Sequence, residues 1–227
     1  MAIRDNELKH LKEMILKMAS LVEVSIRDSV RALVTQEPSI ANAVIAADLL
    51  INTYDVQIDE ECIRLIARRQ PVGRDLRFIT TGMKITTDLE RIADHAVNIA
   101  ERALKLSEAS PMRAYSDLSR MREIVQRMVK DAIDSFVNED KALAKDVIER
   151  DEEVDDLNAS VVNELMLVMT KEQGNVIHAS QLIYISRNIE RIGDHATNIA
   201  EMIIYMVDGR MIRHLADVTG QPPKPSD

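Results

Sequence analysis

Tryptophan is absent from the 227 residues and aromatics of all kinds reach only 3%, so the apolar content is almost wholly aliphatic. Glycine and proline number six each, and Pro222, Pro223 and Pro225 sit together near the C-terminus. So few breakers leave little room for the many turns of a β-protein. The single cysteine, Cys62, excludes an intrachain disulfide and fits a reducing compartment. No apolar run approaches the roughly 20 residues of a spanning helix, so membrane insertion is not expected. The opening MAIRDNELKH is charged where a secretion signal would place its apolar stretch. Basic residues are in deficit: 29 Lys and Arg against 38 Asp and Glu leave a net charge of −9, which repels nucleic acid. Neither a Walker A nor a GxGxxG sequence is present, so no nucleotide site is expected. These absences describe a soluble, cytoplasmic protein, free to dock on a membrane protein.

What the chain does hold is Leu, Ile, Val, Ala and twelve Met, a composition suited to long helices. It is also written twice. Residues 88–101 read DLERIADHAVNIAE and residues 188–201 read NIERIGDHATNIAE, identical at ten of fourteen positions. Upstream, at a shift of 103, Met18, Val22, Ile26, Val30, Leu33 and Val34 line up with Met121, Val125, Val129, Ile133, Phe136 and Val137. Ile51, Tyr54, Ile58 and Cys62 line up likewise with Val154, Leu157, Val161 and Leu165. Steps of three and four mark these as helix stripes. The expected fold is all-α: six long helices, over 6–36, 39–69, 75–107, 112–138, 140–171 and 176–208, with Asp75 as the N-cap of the third. They form two tandem, sequence-similar three-helix bundles, residues 1–109 and 110–208, followed by a loose tail over 209–227.

On a helical wheel of about 100° per residue, Glu90, Asp94, Asn98 and Glu101 share one narrow stripe facing away from the core, and Glu190, Asp194, Asn198 and Glu201 repeat it. On the preceding helices Asp48, Asn52, Asp55 and Asp59 make a second stripe, matched by Asp151, Asp155 and Asn158, with Val162 in the place of Asp59. These acids sit on a shoulder beside a helix–helix contact. Carboxylates at i, i+4 repel each other, and a merely solvated face would alternate signs. Like-charged stripes on two helices in both copies therefore read as cation sites, with a plain acidic surface as the alternative. Oxygen ligands admit Mg, Mn or Fe(III), and nearby His admits Zn or Ni. His95 and His195, between the acidic and apolar faces, are placed to orient a neighbour by hydrogen bond, with ligation as the alternative. Arg91 and Arg191 adjoin the acids as ion-pair partners; His10, His178 and His214 lack repeat counterparts and receive no role. Arg68, Arg69, Arg74 and Arg77 cluster around the first inter-helix loop, either as favourable charge at a helix C-terminus or as a docking patch for an acidic partner.

The segment RRQPVGRDLR at 68–77, taken with ERIADHAVNIAE and ERIGDHATNIAE, resembles the PhoU family of regulators of bacterial phosphate uptake, up to about residue 208. The resemblance implies two similar three-helix bundles and metal ions or small multinuclear clusters on the bundle surface. The ligands it implies are the pairs Glu90/Asp94, Glu190/Asp194, Asp55/Asp59 and Asp151/Asp155. It further implies a homo-oligomer, a dimer by family expectation, that couples a phosphate ABC transporter to a sensor histidine kinase and represses the phosphate-starvation response. Two competing functions stand beside it: a metal store or buffer, and a di-iron carboxylate oxidase. The oxidase wants Glu-x-x-His pairs pointing inward, whereas Glu90 and His95 are five apart.

Overall fold

The structure, a computed structural model, describes residues 5–108 and 114–209. It is helical throughout, with no strand among the described residues: α1 Asp5–Thr35, α2 Pro38–Arg69, α3 Gly73–Lys105, α4 Ala114–Asn138, α5 Lys141–Glu149, α6 Asp151–Lys171 and α7 Val176–Asp208. The predicted junction of the copies at 109/110 and the predicted tail beyond Gly209 lie outside the described residues.

Each predicted helix is present, with two corrections. Asp75 is not an N-cap: α3 begins two residues earlier, after an extended Val72 that makes no side-chain cap. Gly73 takes a left-handed φ of +58° in the tight α2–α3 loop, which lets the helix start sooner than Asp75 signals. The predicted fifth helix is interrupted at Arg150, whose guanidinium reaches Asp131 on α4 and Asp146 on α5. Asp151, Glu152 and Glu153 thereby become the first turn of α6, where acidic side chains meet the positive end of the helix dipole. Asp140 caps α5 by accepting from the Ala142 and Leu143 amides.

The two copies share one continuous core. The stripe Met18, Val22, Ile26, Val30 and Leu33 is buried in α1, as is Met121, Val125, Val129, Ile133 and Phe136 in α4; Val34 is exposed. The third helices α3 and α7 pack against each other antiparallel: Arg77 donates to the Met206 carbonyl near one end, and Arg102 reaches Gln181 near the other. Between these ends His95 meets Asn188 and His195 meets Asp88, while Gly193 turns to Val125 of α4 and Val154 of α6 and lets its own copy's helices pack closely. Phe78 of α3 and Phe136 of α4 stack with centroids 4.9 Å apart, tying the copies together a second time.

Candidate metal centres

Packing each third helix on its own second helix turns the two acidic stripes toward one another. In copy one, Glu90 and Asp94 of α3 lie within electrostatic reach of Asp48 and Asp55 of α2, and Asp59 adjoins Asp55. In copy two, Glu190 and Asp194 of α7 face Asp151 and Asp155 of α6. The stripes do face away from the core, with Asp48, Asp55, Glu90, Asp94, Asp151, Glu190 and Asp194 half-buried in the seams and Asp59 and Asp155 exposed. Burial first, and repulsion among the acids second, raise the carboxyls of Asp55, Glu90, Asp155 and Glu190 above their ordinary range. Asp48 is raised too, by burial and by Asp94, against a hydrogen bond from Asn52. Asp151 is pushed up to about 6, by burial and then by Asp155 and Asp194. Arg91 reaches Asp94 at 3.2 Å and Glu90 at 3.5 Å; Arg191 reaches Asp194 at 3.1 Å and Glu190 at 3.9 Å. Both arginines remain largely exposed, so each relieves its cluster only in part.

At the inner end of each seam an oxygen is left without a partner. Asp48 Oδ1 and Asn52 Oδ1 in copy one, and Asp151 Oδ1 in copy two, are buried and accept no hydrogen bond among the described residues. Asp48 and Asp151 occupy the same repeat position. Orphaned buried oxygens are costly, and oxygen-only donor sets suit hard cations, so the residues present fit a cation. Among the described residues no three acids, imidazoles or thiols converge closely enough to enclose one by themselves.

The two seams are not copies. Gly193 stands where copy one has Ala93, and a Cβ there would come within 3.0 Å of Asp151 Oδ1. Thr197, where copy one has Val97, donates its hydroxyl to the Gly193 carbonyl and lies near enough to Asp151 to oppose the rise of its carboxyl. Asn158, in the place of Asp55, is held by the Ser186 hydroxyl at 2.7 Å. The stripes also diverge along α7: Asn198 and Glu201 line a groove with Lys84, Thr87 and Asp88 of α3, away from Asp151. Asn98 is half-buried and Glu101 exposed.

The histidines act across the inter-copy contact. His95 Nδ1 lies 2.9 Å from Asn188 Oδ1, and His195 Nδ1 lies 2.7 Å from Asp88 Oδ1, their rings 5.5 Å apart between α3 and α7. The Asn188 amide donates to the Tyr184 carbonyl, so its oxygen faces His95 and the imidazole donates. Burial lowers the His95 pKa, with His195 adding repulsion. Residues 88 and 188 are the first letters of the duplicated motif, an Asp and an Asn. That mismatch is the one sequence sign of a pairing the helical wheel alone does not reveal.

Solved structures and curated relatives place this arrangement. Residues 15–103 and 118–203 each match the PhoU domain, and together they span most of the chain. The chain belongs to the PhoU family. It is 43% identical over 208 residues to the phosphate-specific transport system accessory protein PhoU homolog of Aquifex aeolicus, covering 92% of this chain and 94% of that one. The homolog from Pseudomonas putida is 39% identical over 210 residues, 92% of this chain and 82% of its own. Among solved structures, PhoU from Pseudomonas aeruginosa superposes with a TM-score of 0.88 at 39% identity, covering 91% and 99% of the two chains. The phosphate transport system regulatory protein PhoU from Streptococcus pneumoniae reaches 0.87 at 28%, covering 92% and 99%.

Against this PhoU framework the arginine cluster reads as a set of staples. Arg69 pairs with Glu7 of α1 at 3.0 Å, Arg74 with Glu139 at 2.6 Å, and Arg77 with the end of α7; Arg68 is exposed. Lys9, Lys12, Arg74, Asp75, Phe78 and Glu139 line a cavity of about 330 Å³ beside them, but its charges are mixed. Cys62 is buried against the Ile79 carbonyl, and burial pushes its thiol up to about 12, far from a reactive thiolate. Among the described residues no helix is long and apolar enough to cross a membrane.

Proposed function

We propose that this chain is a non-catalytic, cytoplasmic regulator of phosphate homeostasis that couples a phosphate ABC transporter to a sensor histidine kinase and represses the phosphate-starvation response when phosphate is plentiful. The observation that carries the reading is the match of both repeats to the PhoU domain, with relatives named as phosphate-specific transport accessory proteins over nearly their full lengths. The protein works as a homo-oligomer, a dimer by family expectation, and reaches the membrane through its partners.

The seams supply the second part of the proposal. Asp48, Asp55, Glu90 and Asp94 in copy one, and Asp151, Asp155, Glu190 and Asp194 in copy two, hold divalent or trivalent cations, with Asp59 extending the first site by one turn. The orphaned oxygens of Asp48, Asn52 and Asp151 support it, as do carboxyls held above their ordinary range, since both costs are offset when a cation arrives. A cation held there would neutralise the carboxylates that the second and third helices bring together. The acids line outer seams and both histidines turn to residues 88 and 188, which disfavours an oxidase built inside the bundle.

The test is complementation. In a strain deleted for its own PhoU and carrying a phosphate-starvation reporter, the wild-type chain restores repression in phosphate-rich medium. A reporter that stays induced despite normal protein levels overturns the adaptor reading.

A further inference from the structure

We propose that the outer face of α2 is a docking seam for an amphipathic helix of a partner protein, one that carries an apolar stripe and a basic edge. This deepens the adaptor reading, since it rests on the chain working through bound partners. Ala46, Leu49, Thr53, Val56, Ile63 and Ala67 recur at steps of three and four, with Glu60 filling the remaining place, all on the side of α2 opposite its buried residues Ile51, Ile58 and Leu65. Leu49 is 76% exposed, Val56 57% and Ile63 56%. This is the heptad spacing of a helix–helix seam, presented with no helix upon it among the described residues.

The fold does not require it. The same positions in copy two are Glu149, Glu152, Asp156, Ala159, Met166 and Thr170, with Asn163 for Glu60, so an identical packing role is filled there with a largely polar outer face. Leu49 in place of Glu152 costs solubility without stabilising the core, which points to a surface kept for contact.

Charge selects the occupant. In the cation-free protein one edge of the seam is acidic, Asp48, Asp55 and Asp59 backed by Glu90 and Asp94 of α3. A cation and a basic partner edge are therefore alternative occupants of it, and the binding test is run on chelator-treated protein. The opposite edge is mixed, with Leu50, Gln57 and the ion-paired Glu61 and Arg64. A second copy is a poor fit: an antiparallel twofold pairing of α2 sets the acidic edge of each copy against the acidic edge of the other. A helix with Lys or Arg along the facing edge satisfies both the apolar stripe and the acids.

The test uses a designed four-heptad peptide with Leu at its apolar positions and Lys along one edge, a twin with Glu along that edge, and the full chain. Wild type is expected to bind the Lys-edged peptide at least roughly tenfold more tightly than the twin, and Leu49→Glu/Ile63→Glu to lose roughly tenfold while keeping its helical circular dichroism. Hydrogen exchange is expected to slow across residues 46–67 on binding. Absence of binding, equal binding by the variant, or protection elsewhere overturns the proposal. So does self-association of the wild type that the variant abolishes, which assigns the face to a second copy. The reporter strain separates the two readings. A wild-type chain that fails to repress refutes the adaptor role, whereas a Leu49→Glu/Ile63→Glu chain that represses fully refutes the seam alone.

Discussion

Replacing Asp151 by Asn isolates the cost of assembling the second acidic seam. The carboxyl of Asp151 moves from an ordinary 3.8 to about 6 in the folded protein, chiefly through burial. At about 1.4 kcal/mol per pH unit that is about 3 kcal/mol of destabilisation when the group is ionised. Asp151 is only half-buried, so screening by water reduces this to about 1–2 kcal/mol. A carboxyl with a raised folded pKa binds protons more tightly when folded, so its penalty is absent below pH 4, grows through pH 4–6 and is complete at neutrality. Asp151→Asn in chelator-treated protein should therefore raise stability at pH 7.5 by about 1–2 kcal/mol, a few degrees in Tm, with about half that gain at pH 5. Urea titrations read it as a higher midpoint at unchanged slope. A variant no more stable than wild type at pH 7.5, or one whose gain grows on acidification, refutes the electrostatic reasoning.

Gly193→Ala in an Asp151→Ala background should stabilise by about 0.5–1 kcal/mol, because only ordinary contacts with Val125 and Val154 remain. In wild type the gain should be smaller, since the new Cβ meets Asp151 Oδ1, and a double-mutant cycle in urea measures the difference. Phe136→Ala should cost about 3–5 kcal/mol by emptying the buried stack on Phe78, read by thermal unfolding. His95 should titrate below 6.5 by NMR, so its share of stability is lost as pH falls below 6.5; Asn188→Asp should move that titration upward by supplying the carboxylate that His195 already has.

The duplication, the helices and the facing acids were legible because each rests on local periodicity: α7 ends where its stripe ends, and Asp55 and Glu90 fall on shoulders that must meet. The break at Arg150 was not, since no Gly or Pro marks it, and the pairing of its guanidinium with Asp131 on α4 is a contact no local pattern encodes. The His95–Asn188 and His195–Asp88 pairs span 93 and 107 residues and follow only from how α3 crosses α7. Leu49, Val56 and Ile63 do not stand out in the sequence, because α2 already has a complete buried stripe in Ile51, Ile58, Cys62 and Leu65, and a second apolar face blurs the amphipathic signal.

The most direct test of the seams as cation sites is elemental analysis of untagged protein, wild type against Glu90→Ala/Asp94→Ala/Glu190→Ala/Asp194→Ala. The account predicts stoichiometric metal in the wild type and its loss in the variant, with helical circular dichroism retained. Wild-type protein that binds no metal after incubation with Fe, Zn, Mn, Mg and Ni salts would contradict it, and the acidic seams would stand as a protein-docking surface instead.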